Sequence, residues 1–194
     1  MNIVNVGYDS TNYYLLEPDS VGLLIDVGWP GTMPKLLNML KRKGVPFQKI
    51  KYLLITHYHP DHAGLAQEMK EKGVKLIVMD SQVAFIPALS RYMKPSNHYH
   101  EISLEGNVNL RADESRRFLR SIGVSGEIIY SPGHSDNSVT LILDEGMAFT
   151  GDLPNPMAAA GEAQRQVELS WANIRAHAVK TIYPAHGLAQ HLFI

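Results

Sequence analysis

The segment "LLITHYHPDHAGL", residues 53–65, constrains the fold of this chain more than any other stretch. An apolar run that reads as a buried strand ends in His57, His59, Asp61 and His62, three histidines and an aspartate within six positions. Residues at i and i+2 of an extended or turning backbone share one side, so His57 and His59 face the same way. Pro60 keeps the chain from entering the next helix too early. Four ligand-type groups therefore converge at the carboxyl end of a strand. Without a cation they would repel one another or compete for protons at mildly acidic pH, and a metal removes that conflict. One histidine here would read as a solvated surface residue, but a set at this spacing reads as a metal site. Imidazole and carboxylate suit Zn²⁺, and also Fe²⁺, Mn²⁺ or Co²⁺.

Three more candidates sit in matching places: His134 in "YSPGHSDN", Asp152 in "FTGDLP" and His186 in "IYPAHG". Each follows a predicted strand and is accompanied by glycine or proline, residues that let a chain turn sharply and bring a side chain inward. Open sheets bind ligands beyond the carboxyl ends of their strands, so four strand ends are expected to share one crevice.

The rest of the chain supplies strands and helices in mixed order. "YYLLE" and "GLLIDVG" read as a hairpin around the turn signal "PDSV". Met33, Leu36, Leu37 and Leu40 fall at helical spacing before a stop at Gly44 and Pro46. "KYLLIT" is a strand, Leu65, Ala66 and Met69 begin a helix closed by Gly73, and "VKLIVM" is a strand. Ser81 is placed to cap a helix over "QVAFIPAL", and residues 91–110 read as a long loop or lid. Beyond it come the helix "DESRRFLRSIG", the strand "EIIY", a strand pair in "SVTLILDEGMAFTG", the helix "EAQRQVELSWANIRAH" and a last strand in "KTIYPAHG". Antiparallel hairpins mingled with βα crossovers predict two mixed sheets covered by helices, and residues 1–194 are expected to form one domain.

Composition narrows the function. The chain has no cysteine, which removes disulfides, thiolate ligands and a cysteine nucleophile together. A net charge of −1 gives no electrostatic case for nucleic acid or an anionic membrane. No apolar run approaches the ~20 residues that span a bilayer, and "MNIVNVGYDS" lacks the pattern of a secretion signal. A cytoplasmic protein acting on a small molecule is the expectation.

Through "THYHPDHAG", "PGHS", "TGD" and "PAHG", in that order, and the earlier "LLIDVG", the sequence resembles the metallo-β-lactamase superfamily over nearly its whole length. The resemblance implies an α/β fold, an αββα sandwich of two mixed β-sheets flanked by helices, with a dinuclear site at one edge. It implies that His57, His59 and His134 hold one metal, that Asp61, His62 and His186 hold the other, and that Asp152 bridges them. Asp26 matches a position that supports such a site by hydrogen bonding. Two Zn²⁺ per chain are implied, with Fe or Mn as alternatives. The missing cysteine separates the chain from β-lactamases with a cysteine ligand, and Asp152 looks more like glyoxalase II, lactonases and related hydrolases. His59 stands where the redox di-iron branch typically has glutamate, which favours hydrolysis. Only "LAQHLFI" follows Gly187, in place of the helical glutathione-binding extension usual in glyoxalase II.

The expected reaction is attack of a metal-bridging hydroxide on a small ester, thioester or lactone, with Asp61 or Asp152 as proton acceptor. The two cations outweigh two carboxylates and one hydroxide, so a negative substrate group is welcome. One alternative is phosphodiester hydrolysis of nucleotides or RNA at the same site, which the absence of a basic stripe disfavours. Another is a catalytically silent metal-containing sensor or interaction protein, which the intact ligand set disfavours. Tyr58 is expected to point away from the metals, and Val167, Trp171 and Ile174 to be core. Ser135 and Asn137 are expected to fix their loop, and His177 to interact with helix-end carbonyls. His98 and His100 of the lid, His191, Arg91, Lys94 and Arg111 read as solvated.

Overall fold

The computed structural model describes residues 1–18, 21–158 and 161–192. Its first sheet has the spatial order β1 (Asn2–Asn5), β2 (Tyr14–Glu17), β3 (Gly22–Ile25), β4 (Ile50–Leu54), β5 (Lys75–Met79) and β6 (Val108–Leu110). The β1–β2 and β2–β3 pairs are antiparallel and the next three are parallel. The second sheet runs, from the far edge inward, β11 (Gln190–His191), β10 (Thr181–Pro184), β9 (Met147–Gly151), β8 (Val139–Leu143) and β7 (Gly126–Tyr130). Within it β9 and β10 are parallel and the remaining pairs antiparallel. Both sheets are therefore mixed, as the sequence predicts.

Strand periodicity sorts the side chains into layers. Tyr14 and Leu16 of β2, Leu23 and Ile25 of β3, and Leu54 of β4 join Leu141 and Leu143 of β8 and Phe149 of β9 in a core between the sheets. The alternate residues Leu15, Leu24 and Leu53 face outward, where α1 (Met33–Arg42) and α3 (Ala66–Glu71) cover them with Met33, Leu36, Leu40, Ala66 and Met69. On the far side Ile142, Ala148 and Ile182 pack beneath Val167, Trp171 and Ile174 of α5 (Glu162–Ala176). The result is the αββα sandwich. The helix α4 (Ala112–Ser121) adds Leu119 to the inter-sheet core.

Several local expectations need correction. Leu37 is 40% exposed, because α1 buries only the stripe of Met33, Leu36 and Leu40. The stretch expected as a helix capped by Ser81 is a 3₁₀ run over Asp80–Tyr92. Pro87 inside it removes a donor and would clash with the carbonyl four residues back in an α-helix. The N-terminal hydrogen bond comes from Gln82, whose Oε1 accepts from the Met79 N–H at 3.2 Å, and not from Ser81. The expected loop 91–110 holds a 3₁₀ turn at Pro95–Asn97 and ends in the edge strand β6. The edge strand β1 carries no alternating pattern in the sequence. The turn expected at "PDSV" falls partly on Asp19 and Ser20, outside the described residues. Among the described residues no helix is long and apolar enough to cross a membrane.

Phe149, 1% exposed, fills the centre of the inter-sheet core. Truncation to alanine should cost about 3–5 kcal/mol. The measurement is the shift in denaturation midpoint at unchanged denaturant slope.

Candidate metal centre

All seven predicted side chains meet at one end of the sandwich. After β4 the chain runs through Ile55 and Thr56 into the turn bearing His57 and His59, then into the single helical turn α2 (Pro60–Ala63), which carries Asp61 and His62. Pro60 stands at the first position of that turn, where its missing N–H has no partner to lose. From the second sheet come His134 after β7, Asp152 after β9 and His186 after β10. Gly151 has φ +56° and lies so close to Thr56 that an added Cβ would sit 2.5 Å from Thr56 Oγ1. Glycine thus lets β9 end against the β4 turn and deliver Asp152.

The ligand-type atoms form overlapping groups, each with its atoms within 4.8 Å of one another: His57, His59 and His134; His57, His62 and Asp152; Asp61, His62 and His186. His59 Nδ1 lies 3.1 Å from His57 Nε2 and 3.0 Å from His134 Nε2. Asp61 Oδ2 lies 3.4 Å from both His62 Nε2 and His186 Nε2. Asp152 stands between the groups, its Oδ2 3.4 Å from His62, 3.5 Å from His134 and 3.8 Å from His57, and its Oδ1 3.4 Å from His186.

Surrounding residues fix which nitrogens face inward. Asp26 is 1% exposed and takes a left-handed backbone (φ 60°) just after β3, a conformation that aspartate tolerates better than most residues. Its Oδ1 accepts from the Thr56 N–H at 2.7 Å, while Oδ2 accepts from Thr56 Oγ1 at 2.7 Å and faces His62 Nδ1 at 3.0 Å. As expected, it supports the cluster from behind. His186 Nδ1 lies 2.7 Å from the Ser10 carbonyl, so it donates there and leaves Nε2 directed at the two aspartates.

Protonation follows from these neighbours. Burial opposes charge on His62, but the carboxylates of Asp26, Asp152 and Asp61 outweigh it and raise the group well above its ordinary value. His57 is pushed well below it by burial and then by the surrounding imidazoles. His59 and His134 are lowered, burial first and neighbouring imidazoles second for His59, burial against the pull of Asp152 for His134. Burial raises Asp61, yet its close charge contact with the His62 ring, 3.4 Å away, prevails and holds it at about 2. Asp152 is lowered by the same balance.

The remaining expectations sort cleanly. Tyr58 points into the outer core of the first sheet at 2% exposure. Asn137 fixes the loop, its Oδ1 accepting from the Tyr58 N–H at 2.7 Å, and Ser135 bonds Ser138 at 2.9 Å. His177 donates from Nδ1 to the Asn173 carbonyl at 2.7 Å. His100 faces Glu71 at 3.3 Å on the exposed surface, and Arg111 pairs with Asp113 at 3.2 Å. Four supporting residues carry no signal in the sequence. Thr11 Oγ1 donates to Asp61 Oδ2 at 3.4 Å, and Asn12 Nδ2 donates to the Pro184 and Gly187 carbonyls at 3.1 and 2.8 Å. Ser10 contributes its carbonyl. Buried Gln82 ties the Ile55 and Asn137 carbonyls together at 2.9 and 3.1 Å.

This fold with these paired His/Asp groups defines a metal-dependent hydrolase. A model of the metallo-beta-lactamase superfamily matches residues 6–155, and the chain belongs to that superfamily. It is similar to a beta-lactamase-like protein 2 homolog of Drosophila melanogaster, 28% identical over 192 residues, covering 91% of this chain and 58% of that one. A probable metallo-hydrolase of Methanocaldococcus jannaschii is 25% identical over 197 residues, covering 93% and 89%. A hydroxyacylglutathione hydrolase of Methylobacillus flagellatus is 25% identical over 147 residues, covering 76% and 48%. The chain thus spans about half the length of some curated relatives and nearly all of another. Among solved structures, a metallo-beta-lactamase family protein of Thermus thermophilus shares the fold at a TM-score of 0.74 and 20% identity, over 97% of this chain and 73% of that one.

Two outcomes test the electrostatics. With no metal bound, the raised pKa of His62 gives stability that is complete below its ordinary 6.5 and is lost as pH climbs through the folded value. The lowered His57, His59 and His134 act oppositely, since below 6.5 the unfolded chain takes up protons that the folded chain refuses. Asp61 and Asp152 stabilise above the ordinary carboxylate value of 3.8, and that contribution fades as pH falls through their folded values. Thermal unfolding of the metal-stripped chain should therefore peak near pH 6.5 and fall on both sides. Separately, Asp26→Asn keeps the backbone conformation but weakens the hold on His62, and zinc affinity measured by competition with a chelator should drop roughly 10–100-fold.

Proposed function

We propose that this chain hydrolyses a small ester, thioester or lactone at a pair of divalent cations, zinc or in its place iron or manganese. His57, His59 and His134 would hold one, Asp61, His62 and His186 the other, and Asp152 would be shared. The reading is carried by Asp152, whose carboxylate stands within 3.8 Å of four imidazoles contributed by both groups. The residues fit such cations on their own evidence. His62 Nε2 and Asp152 Oδ1 are buried without a hydrogen-bond partner, a cost of about 1–3 kcal/mol per group that a cation would relieve. Nitrogen and carboxylate oxygen are the donors zinc takes in hydrolases.

Bound here, the cations would lower the pKa of a water toward neutrality and polarise a carbonyl oxygen. The chain's own residues supply orientation and proton handling. Asp26 and the Ser10 carbonyl hold His62 and His186 so that each Nε2 faces inward. Asp61 and Asp152 stay ionised across the neutral range and are the carboxylates placed to accept the proton of the attacking water. Clefts of about 340 Å³ and 300 Å³ flank the centre, the first walled by Phe85, Tyr92 and His59, the second by Leu153, Pro184 and His186. Volumes of this size suit a small molecule. Similarity to a hydroxyacylglutathione hydrolase supports a substrate with an ester-type carbonyl.

Elemental analysis of protein made in metal-replete medium should find close to two cations per chain. A panel of esters, thioesters and lactones should show turnover that chelation abolishes and zinc restores. Asp61→Ala and Asp152→Ala should each lower turnover by more than the roughly 10–100-fold cost of losing a supporting residue. Natively folded protein that takes up no metal would sink the reading, as would turnover indifferent to both substitutions.

A further inference from the structure

The second cleft does not end at the centre. A neighbouring cavity of about 340 Å³ shares Leu153, Pro184 and Gln190 with it, so the two adjoin, one lined by Asp152 and His186 and the other by Trp171 and Arg175 of α5. Its apolar lining is Leu153, Met157, Ile182, Leu192 and Trp171, beside the polar Thr150, Asn155 and Gln190. The indole is only 8% exposed, and its Nε1 donates to the Pro154 carbonyl at 2.7 Å, which fixes the ring as a rigid wall. Arg175 lies one helical turn further on, its guanidinium carbon 5.9 Å from the Trp171 ring centroid. No acidic residue lines this cavity, and among the described residues Arg175 makes no ion pair. A largely apolar cavity that carries one arginine and no acid, and that adjoins the cleft at the centre, has the form of a subsite for an amphiphilic anion. The first cleft is the opposite in character, with Asp136 and no cation in its wall.

We propose that this adjoining cavity is a specificity subsite, in which Trp171 and its apolar neighbours bind an apolar arm of the substrate and Arg175 binds a negative group at that arm's end. The inference rests on the proposed hydrolysis for its place in catalysis, but not for its binding chemistry. It names the substrate class as an ester, thioester or lactone with an anionic group several methylenes from the scissile carbonyl. Arg175 is a specificity residue, since it stands apart from the reacting atoms.

Two readouts test it in the full metal-loaded chain. The sequence has two tryptophans, so Trp29→Phe leaves Trp171 as the sole tryptophan, read by excitation at the red edge where tyrosine does not absorb. Titration with 6-phenylhexanoate, 6-phenylhexyl phosphate and the neutral 6-phenylhexanamide should change its emission, with the anions binding about tenfold tighter, the scale of one charge-assisted contact. Arg175→Gln should erase that preference and Arg175→Lys should recover part of it. In turnover, matched thioesters ending in carboxylate or amide should differ in kcat/KM by a similar factor, which Arg175→Gln abolishes while leaving the amide unchanged. Equal binding of anion and amide, or a preference that survives Arg175→Gln, overturns the subsite while leaving the hydrolase reading standing. Arg175-dependent anion binding with no turnover of any substrate supports the subsite and counts against the hydrolase.

Discussion

The placement of every group in the centre depends on one buried carboxylate. Asp26 accepts hydrogen bonds from the Thr56 N–H and hydroxyl and holds His62 Nδ1, which sets the turn after β4 and the helical turn α2 in register with the end of β3. A charge this deeply buried is tolerated because both oxygens are engaged. Thr56 passes the constraint on, since its carbonyl accepts from the Val139 N–H at 2.8 Å and so ties the second sheet to the first at their shared end. Its side chain also meets Gly151, the residue before Asp152. One aspartate and one threonine thus couple side chains from both layers of the sandwich.

The electrostatics of the cluster follow from that geometry. Three carboxylates converge on His62, and in the absence of a cation a proton on its ring is the charge that balances them. His57, equally buried but surrounded by imidazoles, is driven the other way. Two histidines with ring centroids 4.0 Å apart therefore favour opposite protonation states. A divalent cation resolves the conflict better than a proton does, because it can face several lone pairs at once and all imidazoles can then be neutral.

The seven clustered residues were legible because their signals are local: a ligand-type side chain, a preceding apolar strand, and glycine or proline at the turn. The residues that hold them were not. Asn12 reaches the Pro184 and Gly187 carbonyls, and the Ser10 carbonyl meets His186, across more than 170 positions, and nothing near residues 10–12 announces it. Gln82 lay hidden in a stretch whose apolar spacing suggested an ordinary helix, whereas Pro87 forces 3₁₀ geometry. The edge strands β1 and β6 are not legible, because strands of four and three residues, partly exposed, carry too few side chains to establish a period. Contacts local in sequence can be read from it, while those made only by folding cannot.

Burial across the centre is graded, and the gradient sets the direction of approach. His57 and His62 are sealed at 0% exposure, whereas the His134 and His186 side chains are 31% and 42% exposed. The centre is therefore open on the side between the 3₁₀ run that carries Tyr92 and the loops that follow β9 and β10. The walls on its two sides are chemically unlike, one aromatic with an aspartate, the other formed by Leu153 and Pro184 and adjoining the cavity that holds Arg175. A symmetric pair of clusters would accept a scissile bond in either sense, and unlike walls remove that degeneracy. On the proposed reading, orientation would be set by residues that stand on elements separate from the Asp26–Thr56 frame.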